Sequence, residues 1–156
     1  MDAAIALPAL MRWIHMLSAI AVAGSIFFFL LVLRPAVAKA LSAEQHAALR
    51  EPLMRRWKML IHPSIVLFLV SGFYNYLAVT APAHEGQGLY HALFGIKFLL
   101  ALVLFALAIV LTSTREWSIK MRESRGAWIA LGLITLVIVL IAGLMKVLPA
   151  AETIAP

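Results

Sequence analysis

The chain contains no cysteine. Disulfides, thiolate nucleophiles and thiolate metal sites are thereby excluded, and any metal or cofactor falls to His, Met, Lys, Tyr or carboxylates. Charge is scarce as well. Only 13% of the 156 residues are Asp, Glu, Lys or Arg, about half the usual share of a soluble domain. Solenoid-length repeats and low-complexity tracts are missing too. What remains is 64% hydrophobic, with a mean hydropathy of +1.00. So little polar surface cannot cover a water-soluble globule. The composition predicts one integral membrane domain over residues 1–156, with little mass outside it.

Four apolar runs stand out, at about 8–33, 59–81, 90–113 and 127–148. Each is long enough to cross roughly 30 Å of hydrocarbon as a helix, and none of them contains an Asp or Glu. The net charge of +6 is confined in a way that does not suit nucleic acid. Arg34, Lys39, Arg50, Arg55, Arg56 and Lys58 lie between the first two runs, and Arg115, Lys120, Arg122 and Arg125 between the last two. The opposite side carries Asp2, Glu85 and Glu152, with no Lys or Arg over 82–89. The positive-inside rule then predicts cytoplasmic basic loops, both termini periplasmic, and a multi-pass protein of a bacterial inner membrane. The first run, followed by "AVAKA", is longer than a signal-peptide core and is read as a retained helix.

In the first loop, Ser42 precedes Gln45 at capping-box spacing, which predicts a short interfacial helix over about 42–56 bracketed by Pro35 and Pro52. The connections "TAPAHEGQGLYH" and "TREWSIKMRESRG" are short, and Pro149 stops the last helix. Short turns make antiparallel neighbours, so the expected fold is all-α, an up-down-up-down bundle of four transmembrane helices. Small and hydroxyl residues mark the expected packing faces. They are His15, Ser18 and Ser25 with Gly24 beside them on helix one, and Ser64, Ser71, Gly72 and Asn75 on helix two. On helix four they are Gly132, Thr135, Val139, Gly143 and Lys146.

Bulky polar residues inside the spans are harder to explain by packing. Counting 1.5 Å per residue places His15 roughly 10 Å below the outer boundary, with Lys97, Tyr74 and Asn75 near the same depth and Lys146 slightly nearer the surface. Tyr90 shares a face with Lys97, and Arg12 and His91 sit above the cluster. With no acidic residue in any span, Lys97 is either neutral, or faces an anion supplied by a ligand, or snorkels to the interface. Cations, a histidine and aromatics without a carboxylate suit a flat, apolar, dianionic molecule. Haem b fits, with His15 on the iron and Arg12 or Lys146 on the carboxylates. Copper is the alternative, through His15 with Met11, Met16 and Met145, although Met16 turns about 100° from His15. His91 is a further candidate ligand. His62, about 15–20 Å from His15 along the membrane normal, reads as a structural cap at Pro63 or as a second, inner site. His46 and His84 read as surface residues of loops.

At this point a family resemblance enters. "RWIHMLSAIAVAGSIFFFLLVLRPAV" is similar to the first helix of the CopD (copper-resistance D) and HemJ-like membrane proteins, the latter related to protoporphyrinogen oxidases. "MRRWKMLIHPSIVLFLVSGFYNYL", "YHALFGIKFLLALVLFALAIVLTSTR" and "LGLITLVIVLIAGLMKVLP" resemble the second, third and fourth. The resemblance implies haem b at His15 and a role in activity for Lys97. The HemJ-like pattern has a histidine two positions before that lysine, where this chain has Gly95. It also leaves three functions open: an oxidoreductase acting on protoporphyrinogen or passing electrons to quinone, a copper transporter, and an accessory subunit of a larger respiratory or photosynthetic complex. Lipid, a porphyrin and a second copy of the chain are the other expected partners.

Overall fold

The structure is a computed structural model and describes residues 3–149. Asp2 and Glu152, two of the acidic residues assigned to the outer side, lie outside the described residues. The elements are all helical: α1 (Ala3–Phe28), α2 (Arg34–Ala40), α3 (Ala43–Asn75), α4 (Ala81–Ala83), α5 (Gly88–Thr112), α6 (Glu116–Glu123) and α7 (Arg125–Val147). Four helical runs, Ile5–Ala40, Ala43–Ala83, Gly88–Thr112 and Arg125–Val147, are long and apolar enough to cross a membrane. Leu17, Ile20, Leu31, Leu77, Leu99 and Leu140 point outward at 62–66% exposure. A belt of that extent is tolerable only against lipid, and the chain is a multi-pass membrane protein.

Two π-helical turns, Phe29–Leu33 and Tyr76–Thr80, join α1 to α2 and α3 to α4. Each runs up to a proline, Pro35 or Pro82. A proline lacks its amide hydrogen and its ring collides with the carbonyl four residues back, and a widened turn relieves that collision without ending the helix. Pro35 therefore sits inside a continuous helical run.

The first loop differs from expectation in the same way. Ser42 does open a capping box: the Gln45 amide donates to the Ser42 hydroxyl at 3.3 Å, and the Ser42 amide donates to Gln45 Oε1 at 3.0 Å. The helix it opens, however, is not a separate interfacial one. It continues as the 33-residue α3, with Pro52 and Pro63 inside it. The interval between the third and fourth spans likewise contains α6, which buries Ser118 and Arg122.

Packing is uneven along the bundle. Ile26 and Phe29, Trp57 and Ile61, Leu104 and Leu111, and Trp128 and Leu131 form a buried core toward the end that carries the basic loops. Phe29 stacks on Trp128 at 5.1 Å, and Trp57 lies 5.4 Å from the same indole. Gly132 admits Leu30, whose Cδ2 would stand 2.7 Å from any β-carbon placed there. Trp57 Nε1 donates to Ser25 Oγ, tying α3 to α1. On α7 the buried stripe is Trp128, Leu131, Gly132, Thr135 and Met145, while Val139 is 52% exposed and Gly143 faces open space. Beyond Thr135 the inward positions of α7 are instead Ile138, Ala142 and Lys146. Gly24 also faces open space.

Candidate functional site

At the end of the bundle away from the basic loops, the helices part around a cavity of about 600 Å³. That is within the roughly 300–1,000 Å³ of small-molecule and cofactor sites. Arg12, His15 and Met16 reach it from α1, and Phe68, Gly72 and Asn75 from α3. Tyr90, Phe94 and Lys97 reach it from α5, and Ile138 and Lys146 from α7. The turn Tyr76–Thr80 contributes both of its end residues. Of the residues singled out by depth, His15, Asn75, Lys97, Arg12 and Lys146 do line one space.

His15 is held from behind by α3. Its Nδ1 donates to the Phe68 carbonyl at 3.2 Å, and the Ser71 hydroxyl lies 3.4 Å from the same nitrogen. The Ser71 hydroxyl hydrogen points to the Leu67 carbonyl, so its oxygen can only accept from the ring. Both partners thus place the proton on Nδ1, leaving the lone pair on Nε2. No hydrogen bond to Nε2 occurs among the described residues. The Phe68 ring packs 4.1 Å from the imidazole, and Gly72 allows the ring to lie directly on the α3 backbone. A backbone carbonyl that fixes the tautomer from one nitrogen while the other stays free is the arrangement of a metal-ligating histidine.

Lys97 sits on the opposite wall, its Nζ 5.4 Å from the Phe94 ring centroid. No hydrogen bond or ion pair to it occurs among the described residues, where the single ion pair is Arg50–Glu123. Asn75 donates from Nδ2 to the Met11 carbonyl at 3.3 Å and so braces α1 from the side of the cavity.

Tyr74 and His91 are not on the wall. Tyr74 lies about 200° around the helix from Gly72, whereas Tyr76 returns to the cavity side. Equal depth does not imply equal azimuth. Tyr76 and its stacked partner Phe94, 3.5 Å away, are the residues that a depth count missed. The repeat Gly72, Asn75–Tyr76, Val79–Thr80 was the available signal. His91 lies behind Tyr76: the tyrosine hydroxyl donates to Nδ1 at 2.8 Å, and Nε2 donates to the His84 carbonyl at 3.1 Å. With both ring nitrogens engaged, His91 has none left for a metal.

His84 is not a surface residue. It is 9% exposed, stacks on Tyr90 at 3.7 Å and donates from Nδ1 to Gln87 Oε1. His62 neither caps backbone at Pro63 nor reaches the cavity. Its Nε2 donates to the Thr112 hydroxyl at 2.9 Å, and that hydroxyl donates to the Ile109 carbonyl. The contact pins α3 to the end of α5.

The donor set can be tested against the two cofactor chemistries. For haem the cavity supplies one nitrogen with a fixed tautomer, aromatic walls, and Arg12, Lys97 and Lys146 for carboxylates. These residues fit. For copper, Met16 lines the cavity beside His15, but Met11 and Met145 do not. No cluster of three His, Asp or Glu side chains suited to a metal occurs among the described residues. Comparisons with protein-family models, with curated proteins and with solved structures each find no match.

Proposed function

We propose that the chain is a haem b-binding membrane protein with a redox or porphyrin-related role, as its resemblance to the CopD and HemJ-like proteins implies. The observation that carries this reading is the Nδ1–Phe68 hydrogen bond of His15, which leaves Nε2 unengaged in a cavity with three cations and no carboxylate. Bound haem would supply one-electron chemistry at iron. The chain's own part is to hold. His15 would offer Nε2 to the iron, Arg12 and Lys146 would attract the carboxylates, and Phe68, Phe94 and Ile138 would exclude water. Lys97 offers a positive charge or a proton donor to an anionic porphyrin in a low-dielectric wall.

The basic loops support a cytoplasmic placement for 34–58 and 114–126, with both termini periplasmic in a bacterial inner membrane and the bundle running up-down-up-down. An accessory subunit of a larger complex would use the same cofactor site, with quinone or a protein as its redox partner.

The visible spectrum of the purified protein tests the reading. A Soret band with reducible α and β bands is expected. A colourless protein holding stoichiometric copper would instead favour the transport reading, for which Met16 beside His15 is the supporting observation.

A further inference from the structure

A second cavity, about 200 Å³, lies at the opposite end of the bundle and takes no part in the proposed cofactor site. Its apolar wall comes from residues such as Phe29, Val37 and Leu49, and its polar wall is Arg34, His46, Arg50, Arg122 and Glu123. Three guanidiniums face one carboxylate, which leaves a surplus of two positive charges.

The arginines differ in what they already hold. Arg34 donates to the carbonyls of Arg122 and Glu123, closing the C-terminal turn of α6. Arg50 pairs with Glu123. Arg122 is only 9% exposed; one Nη donates to the Ser113 carbonyl, and its Nε is buried with no hydrogen-bond partner among the described residues. Nε lies too deep for a ligand to reach, but no hydrogen bond from Nη1 occurs among the described residues, which leaves that end of the guanidinium to an acceptor in the pocket. Burial, and next the charge of Arg50, pull the Arg122 pKa below the ordinary arginine value, with Glu123 opposing. The pocket is short of negative charge.

It also lies where the apolar spans end and the exposed basic side chains Lys39, Arg55 and Arg56 begin. We infer that this pocket binds the phosphate headgroup of an anionic phospholipid from the adjoining leaflet, with an acyl chain against Phe29, Val37 and Leu49. Basic pockets between membrane helices suit that chemistry, because phosphate accepts in a fork and the chain covers the apolar wall. A free phosphate would satisfy the arginines alone and leave the apolar wall uncovered.

Native mass spectrometry of the full-length protein in micelles doped with phosphatidylglycerol or phosphatidylcholine tests the inference. A single retained phosphatidylglycerol is expected, preferred about ten-fold or more over phosphatidylcholine. Arg50→Gln removes one headgroup donor, and Ala38→Trp fills the cavity from its exposed rim; each should cut the preference about ten-fold. Neither depends on Arg122, whose loss would also release the Ser113 carbonyl. Lys39→Gln removes a charge nearby but off the wall and should leave the preference intact. Inorganic phosphate at millimolar concentration should not displace the lipid. Equal retention of the two lipids, insensitivity to both cavity variants, an equal loss with Lys39→Gln, or displacement by phosphate would each overturn the inference. Haem content plays no part in these readouts.

Discussion

Gly72 and His15 are in direct contact across α3 and α1: a β-carbon on Gly72 would stand 3.0 Å from the ring Cε1 and 3.2 Å from Nδ1. The same ring nitrogen donates to the Phe68 carbonyl one turn earlier on α3. The glycine and the carbonyl together fix how deeply the imidazole sits and which nitrogen faces the cavity.

Gly72→Ala should therefore displace the ring by a few tenths of an ångström and loosen its bond to Phe68. A disturbed outer partner of a metal-binding histidine typically weakens the metal by about 10–100-fold, and haem retention on dilution should fall by that order. Gly95→Ala is the matched control, since a β-carbon there meets nothing within 4 Å. It should leave haem untouched and strengthen the helix by up to about 1 kcal/mol. Equal haem affinity in both variants would show that His15 is not the ligand.

His15→Ala should abolish the haem spectrum, because no other histidine lines the cavity among the described residues. His62→Ala should keep the spectrum intact. Its loss is the bond to Thr112, about 0.5–1.5 kcal/mol of stability, read as a lower unfolding midpoint in detergent. The reverse pattern, with the spectrum surviving at His15 and vanishing at His62, would place the cofactor in the other half of the bundle.

Lys97→Met should preserve the fold, since an apolar chain of similar length suits a lipid-depth wall. Removing a cation beside a haem favours the ferric form, so the midpoint potential should fall and any turnover of protoporphyrinogen should drop. Lys97→Glu should lower haem content as well, because it sets a carboxylate against the porphyrin's own. Haem content, potential and turnover all unchanged in Lys97→Met would reduce Lys97 to a snorkelling side chain.

Reporter fusions at Glu85 and at the C-terminus should both read as periplasmic, and fusions within 114–124 as cytoplasmic. A cytoplasmic signal at Glu85 would invert the assignment of the basic loops and place the Arg122 pocket in the outer leaflet.

Much of this protein is determined by the sequence alone. Four long apolar runs without a carboxylate leave a chain no soluble solution, and a capping box at Ser42 and Gln45 is local enough to be read from spacing. Depth along a membrane helix is nearly as legible, because rise per residue is constant. Rise alone thus groups His15, Lys97, Asn75, Arg12 and Lys146, and these line one cavity. Azimuth is not legible in the same way. Tyr74 and Tyr76 share a depth to within one turn, but only packing against α1 and α5 decides that Tyr76 faces inward. Proline signals misled for a related reason. Pro35 and Pro52 read as brackets of a short helix, yet the helical runs pass through both: a widened turn accommodates Pro35, and burial of Met54 and Trp57 holds α3 together past Pro52. The tautomer of His15 belongs to the tertiary structure altogether: its partner is a carbonyl 53 residues away, brought close by the absence of a side chain at Gly72.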